Sequence, residues 1–340
     1  MDKRKQIVKS IILLIIIAGI VSLAYFAINY LDTRKTGAPA ERQSAAPDPE
    51  YLYLGDKEYE ITHNIKTYLI VGTDGNGTKP NAKDYHGPMA DYQLLLLIDK
   101  TDGTYGFIQI DRDSITDVEL INNDGVEETA DTEELQICTA TWYGKDLEQG
   151  LDNLVNSASY LLGGIRIDGY YSLNMREIGK LNHAVGGVTV KIEDDFSKYD
   201  KEMVPGATVT LTDEQAALFV RSRMSIGDGS NESRMKRQRV YMEALMDKVR
   251  KQMTEDKSFG INIYNELQDI AVTNIPKNRI SAISNLMYKS TGKGIRDIDG
   301  EHTMGRLAGD KKDYVQFYAD EESMVEIFTD LIGIGEGKEY

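Results

Sequence analysis

Residues 93–98 read QLLLLI, an apolar run unbroken after its first residue. Six residues are too few for an ordinary helix and suit a strand buried on both faces, as in the middle layer of an α/β protein. Working outward, residues 67–71 (TYLIV) read as a second strand, and residues 105–110 (YGFIQI), which alternate, as a third. Residues 147–162 place apolar side chains at 147, 151, 154, 155, 158, 161 and 162, one face of a helix. Strand and helix patterns then take turns: strand over 170–173, helix over 176–184, and strand over 188–192 behind the Gly186-Gly187 turn. Residues 212–223 predict a helix whose start is marked by Thr212 with Gln215 three positions on, a reciprocal cap. A longer helix over 232–251, helices near 262–270 and 277–288, a strand over 314–318 and a helix from Asp320 complete the pattern. The alternation predicts a three-layer α/β/α fold with a central mixed sheet and one core. The acidic stretch 124–134 reads as a solvated loop.

In front of this pattern, residues 10–31 (SIILLIIIAGIVSLAYFAINYL) carry no charge. As a helix they span about 33 Å at about 1.5 Å per residue, close to the thickness of a bilayer core. A cleaved signal peptide is the competing reading, although the run is long for one and no small-x-small cleavage site follows it. Lys3, Arg4, Lys5 and Lys9 precede the run against Asp2 alone. The positive-inside rule then leaves residues 1–9 in the cytoplasm and everything after Asp32 outside. Residues 32–60 are read as a linker, rich in Ala, Pro, Ser and charge over 33–50, followed by a working domain over 61–254 and an extension of it over 255–340. The expected location is the cell membrane, single-pass, with the main domain extracytoplasmic.

The chain has 340 residues, a formal net charge of −16, one cysteine and four scattered histidines. The charge disfavours nucleic acid as a partner, because phosphates repel an acidic surface. A single Cys138 excludes an internal disulfide and a cysteine-based metal cluster. Against that acidity, Arg221, Arg223, Arg234, Lys236, Arg237 and Arg239 fall within nineteen residues. The apolar stripe of the 232–251 helix runs back through Val249, Leu245 and Met242 to Gln238 and Arg234. Either Arg234 faces inward at a helix N-terminus, where anions are favoured, or it snorkels to solvent. Arg221 and Arg223 close the preceding helix, where cations suit the dipole in any case. Grouped guanidiniums grip phosphate in a bidentate way, so a phosphate or pyrophosphate ligand fits the group. Asp74 and Asp91 flank predicted strands and are either turn formers or oxygen ligands for Mg²⁺. Asp111-Arg112-Asp113 is either an ion-pair knot or part of a charged site.

These residues lie in the segments YLIVGTD (68–74), ADYQLLLLIDK (90–100), IQIDRDS (108–114), IDGYYSLNMREIGKLNHAVGGVTVKI (167–192), PGATVTLTDEQAALFVRSR (205–223) and SRMKRQ (233–238). In this order, behind an N-terminal anchor, they resemble the LytR-CpsA-Psr family of bacterial cell-envelope proteins, with the match thinning past residue 254. The resemblance implies an α/β/α fold, a hydrophobic tunnel for a polyprenyl chain, and arginines that bind its pyrophosphate. It implies transfer of a glycopolymer from a polyprenyl-pyrophosphate carrier to peptidoglycan, with Mg²⁺ or Mn²⁺ as cofactor. By motif, Asp74, Asp91 and Arg112 become catalytic, with Asp74 and Asp91 as the metal or base carboxylates. Arg112, Arg221, Arg223, Arg234 and Gln238 become the pyrophosphate site. The chain departs from the pattern at three places: Met89 stands for an arginine, Asp111 for a usual proline, and Asn231 for an aspartate.

Overall fold

The computed structural model describes residues 50–75, 77, 86–122, 125, 127–307 and 311–339. The anchor expected over 10–31 and most of the linker lie outside these residues. Among the described residues no helix is long and apolar enough to cross a membrane.

The chain opens with a hairpin, β1 (Glu50–Leu54) and β2 (Lys57–Ile61), and continues into β3 (Ile65–Thr73), β4 (Ala90–Asp99), β5 (Thr104–Ile110), β6 (Ile115–Ile121) and β7 (Glu127–Gln136). Then come α1 (Leu147–Leu161), β8 (Tyr170–Asn174), α2 (Ile178–Ala184), β9 (Thr189–Lys191), β10 (Thr208–Thr210), α3 (Asp213–Arg221) and α4 (Asn231–Glu255). The remainder is α5 (Phe259–Leu267), β11 (Ala271–Thr273), α6 (Lys277–Lys289), β12 (Thr291–Asp297), β13 (Gly300–Arg306), β14 (Asp313–Ala319), α7 (Glu321–Ile332) and β15 (Lys338–Glu339).

The central sheet has the order β11-β8-β3-β4-β5-β12. Its β3–β8 and β5–β12 pairs are parallel and the others antiparallel, so the sheet is mixed as expected. The QLLLLI run is its buried middle strand, and period-two alternation divides it between the faces. Leu95 and Leu97 join Leu151, Leu154 and Ala158 of α1 and Ile327, Phe328 and Leu331 of α7. Leu94, Leu96 and Ile98 face the other way, toward Met242 and Met246 of α4 and Ile280 and Ile283 of α6. Helices on both faces make the three layers.

Three expectations change. Residues 50–60, read as linker, belong to a packed hairpin whose Leu52 is fully buried against the first face. The stretch 124–134, read as loop, contains most of β7, which pairs antiparallel with β6; the pairing satisfies its backbone, and Val118 and Leu135 fasten the ribbon to the core. The single core is also too simple. Val188, Ile192, Phe196, Phe219 and Tyr241 form a further apolar cluster over residues 185–245, beside α4. Helix α4 therefore packs on two sides, which decides how many of its polar residues are buried.

Candidate active site

The reciprocal cap expected at Thr212 is present, with Gln215 N donating to Thr212 Oγ1 at 3.2 Å and Thr212 N donating to Gln215 Oε1 at 2.9 Å. It fixes the start of α3, whose end delivers Arg221 and Arg223. Helix α4 starts under a second cap, Ser230, whose Oγ accepts from Ser233 N at 3.0 Å. Arg234 then falls on its first turn, pointing at the ends of β4 and β5.

In the β3–β4 ladder Gly72 pairs with Tyr92 and Thr73 with Ala90, so Asp91 is the extra residue of a bulge. Bulges re-aim side chains, and this one turns Asp91 toward the arginines. Arg112 Nη1 donates to Asp91 Oδ1, and Arg234 Nη1 donates to Asp91 Oδ2 at 3.1 Å. One carboxylate thus bridges two guanidiniums. Arg112 Nη2 donates to Cys138 Sγ at 3.1 Å and to Met89 Sδ at 3.3 Å, while its Nε lies 3.3 Å from Asp113 Oδ1. Arg234 Nη2 donates to Asn231 Oδ1 at 2.8 Å, and Asn231 Nδ2 donates to Asp111 Oδ1 at 2.9 Å. Asp111 Oδ2 in turn accepts from His302 Nε2 at 3.0 Å. The inward reading of Arg234 is correct: the residue is 4% exposed.

Electrostatics bring Arg223 into the same group. Burial pushes the Arg234 pKa down, Asp91 opposes that, and Arg112 and Arg223 push it down further. Burial raises the pKa of Asp113, against the pull of Arg112, Arg223 and Arg234. Three arginines therefore sense one another in a partly dry pocket. The Nε atoms of Arg223 and Arg234 are buried without a hydrogen-bond partner, while that of Arg112 has only its ion pair with Asp113. Buried donors without partners are few in native proteins, and each calls for an explanation. Burial also pushes the Cys138 thiol up to about 12, so next to Arg112 it acts as a neutral soft contact rather than a thiolate.

Gln238 sits one turn further along α4. Its Nε2 donates to Val220 O at 3.2 Å, its Oε1 is buried without a partner, and it lines an apolar cavity of ≈ 100 Å³. The cavity runs between the sheet and α4, past Ile70, Gly72, Tyr92, Tyr171 and Met242. A cluster of arginines thus adjoins an apolar slot on the same helix.

The motif residues from the β3–β5 end and from the start of α4, far apart in sequence, meet across Asp91. Residues 29–332 match the LytR_cpsA_psr family. The chain belongs to that family. No curated protein matches it. Among solved structures, the Lin1025 protein of Listeria innocua is 21% identical with a TM-score of 0.55, covering 79% of this chain and 98% of that one. Bacillus subtilis TagV is 18% identical with a TM-score of 0.57, covering 79% and 96%. TagT bound to LI-WTA is 16% identical with a TM-score of 0.56, covering 78% and 89%. At these identities the likeness is one of fold.

The other LytR_cpsA_psr positions fall around the cluster. Asp74 accepts from Met89 N at 3.1 Å, and its own N donates to Met89 O at 2.9 Å, so it fastens the strand entry that carries Met89 and Asp91. Arg221 ends α3 exposed to solvent and makes no ion pair with the cluster among the described residues. Asp113 pairs with Arg112, as the reading of Asp111-Arg112-Asp113 as a charged knot or site allows; Cys138 and His302 contact the group and were missed, because each comes from an element whose sequence gives no sign of proximity. Arg237, counted in the sequence with the basic group suited to phosphate, has a different role. It is 5% exposed but serves the scaffold: Nη1 donates to Asp194 Oδ2 at 2.5 Å and to Ser233 Oγ at 2.8 Å, Nη2 to Ser222 O at 2.5 Å, and Nε to Phe219 O at 3.3 Å.

The oxygen donors Asp91 and Asp74 suit Mg²⁺ or Mn²⁺. Each Asp91 oxygen accepts from one guanidinium, and a carboxylate offers about four acceptor positions, so room for an ion remains. Two adjacent guanidiniums oppose a bare cation there, which makes the fit one for a cation arriving with an anionic ligand.

Proposed function

We propose that the protein is a membrane-anchored cell-envelope transferase that moves a glycopolymer from a polyprenyl-pyrophosphate carrier to peptidoglycan. The observation that carries this reading is the pair of buried, unpartnered Nε donors on Arg223 and Arg234, grouped with Arg112 beside an apolar slot. An isoprenoid diphosphate is anionic at one end and apolar at the other, and it answers both needs. Membership of the LytR_cpsA_psr family supports the reading, as does the capture of TagT with LI-WTA.

In the transfer, a hydroxyl of the acceptor attacks the phosphorus that carries the glycan. The bond to the bridging oxygen breaks, and polyprenyl phosphate leaves. Little covalent chemistry falls to the protein, so holding charge is its main contribution. Arg112 and Arg234 turn from Asp91 to the phosphate oxygens, and Arg223 completes the clamp. Asp91, released from them, is placed to take the proton of the attacking hydroxyl. Bound Mg²⁺ or Mn²⁺, held by Asp91 and Asp74, would neutralise part of the diphosphate charge. Arg221 belongs at the rim of this arrangement, and Gln238 at the seam between diphosphate and apolar slot. An anchor over 10–31 would keep the domain extracytoplasmic and at the bilayer surface.

The test is full-length protein in detergent with a polyprenyl-pyrophosphate glycan, Mg²⁺ and peptidoglycan. Transfer is expected, and Arg112→Ala should lower its rate about 100-fold or more. Equal rates for the variant and the unaltered protein would contradict the proposal. Met89 favours a second reading, because a thioether stands where the family pattern has an arginine. In that reading the protein binds the same diphosphate lipid as a sensor or scaffold, and tight binding without turnover would select it.

A further inference from the structure

We propose that the cavity on the other side of Asp111 is a subsite for a sugar ring, with His302 and Gln109 as its hydrogen-bonding groups; the assignment to a glycan rests on the transferase reading above. The cavity is ≈ 260 Å³ and is lined in part by Gln109, Asp111, Lys236, Asp299, His302 and Phe317. It lies between the end of β5, the start of α4 and the β13–β14 hairpin, outside the arginine cluster.

Three observations point to a neutral polyol there. First, Gln109 is 2% exposed, and while its Nε2 donates to Met235 O at 3.3 Å, its Oε1 has no partner. A buried carbonyl oxygen of this kind is costly unless something donates to it. Second, Asp111 Oδ2 accepts from His302 Nε2 at 3.0 Å, which leaves Nδ1 for a ligand's polar group. No other hydrogen bond to His302 is present among the described residues, and the Phe317 ring, 4.7 Å between centroids, holds the imidazole in place. Third, the lining carries Asp111, Asp297, Asp299 and Glu232 against Lys236, with Asp297 paired to Arg239 and Glu232 to Lys236. That charge repels phosphate and suits hydroxyl and amide groups.

The cavity is also tied to the arginines. Asp111 reaches Arg234 through Asn231, by bonds of 2.9 Å and 2.8 Å. Asp111 and Asn231 are two of the three departures from the family pattern, and the structure makes them direct partners. The exchange moves a carboxylate from the start of α4 to the end of β5, where it can hold His302. A sugar seated on His302 and Gln109 would stand next to the diphosphate held by Arg234. It belongs either to the acceptor strand or to the glycan of the donor, and both present the same hydroxyl and acetamido chemistry.

The experiment uses the four histidines, 63, 86, 183 and 302, as probes, by ring carbon–proton NMR of the full chain in detergent, with His302 assigned from His302→Gln. A tetrasaccharide of alternating N-acetylglucosamine and N-acetylmuramic acid is one ligand; a short-chain prenyl diphosphate is titrated with and without its sugar as the other. The expected result is a saturable shift of the His302 signal with the tetrasaccharide, or with the sugar-bearing diphosphate beyond that seen with the bare one, while His63 and His183 stay still. The first pattern assigns the ring to the acceptor and the second to the donor. His302→Gln and Gln109→Met should each weaken ring binding about 2- to 10-fold, the range for one hydrogen bond. No His302 shift in either arm, or affinities unchanged in both variants, would overturn the subsite. Glycan transfer by the unaltered protein with a silent His302 would sink the subsite and leave the transferase reading standing. Ring binding without transfer would do the reverse.

Discussion

Arg234 and Arg237 lie three residues apart on one helix and are equally buried, at 4% and 5% exposure, yet they are built into opposite kinds of surroundings. Every nitrogen of Arg237 donates to the protein: Asp194, Ser233, and the carbonyls of Phe219 and Ser222. Arg234 shares its carboxylate with Arg112, is pushed down in pKa by burial and by two neighbouring guanidiniums, and leaves its Nε unpartnered. The first arrangement is closed and holds α4 to the loop after α3. The second leaves a buried donor unsatisfied, as the proposed diphosphate site requires. Burial alone separates a buried arginine from solvent; the count of satisfied donors separates a clamp from a site.

The largest effect that tests this contrast is on folding. Arg237→Ala strands Asp194 and several carbonyl acceptors, and should cost about 3–5 kcal/mol of stability in chemical denaturation. Arg234→Gln should cost far less, since Asn231 can still be bonded, while weakening prenyl diphosphate binding by about 10- to 100-fold, the worth of one charged hydrogen bond or more. Stability losses of equal size in the two variants would erase the distinction. Asp91→Asn removes the charge that keeps Arg112 and Arg234 together, so the ligand-free protein should lose about 1–3 kcal/mol. Added prenyl diphosphate should then raise its melting temperature by more than that of the unaltered protein; a smaller rise would contradict the account. The smallest effect concerns Cys138. Its thiol, raised to about 12 from an ordinary value of about 8.5, keeps its proton in the folded state where the unfolded chain releases it. Stability from this group is therefore present below about pH 8.5 and declines as pH rises toward about 12. Cys138→Ala should flatten the decline, and iodoacetamide should label Cys138 only after unfolding.

The same contrast shows what the sequence could reveal. The middle strands were legible because burial on both faces writes itself as uninterrupted apolar residues at 93–98. Arg234 and Gln238 were legible because they extend an apolar stripe at helical spacing. Arg237 was not, because α4 is covered on two sides and a stripe reading assumes one. The β1–β2 hairpin and the β6–β7 ribbon were hidden because their few buried apolar residues, such as Leu52, Tyr59 and Val118, are set among charged ones. The bulge at Asp91 depends on a register visible only once β3 and β4 are paired. His302, almost two hundred residues from Asp111, left no local signal.

The most direct measurement is the affinity of the full chain for a short-chain prenyl diphosphate by calorimetry, beside Arg112→Gln and with thermal stability followed in parallel. The account predicts binding that weakens about 10- to 100-fold in Arg112→Gln while the fold persists. Undiminished affinity in that variant would contradict the claim that the arginines around Asp91 form a diphosphate site.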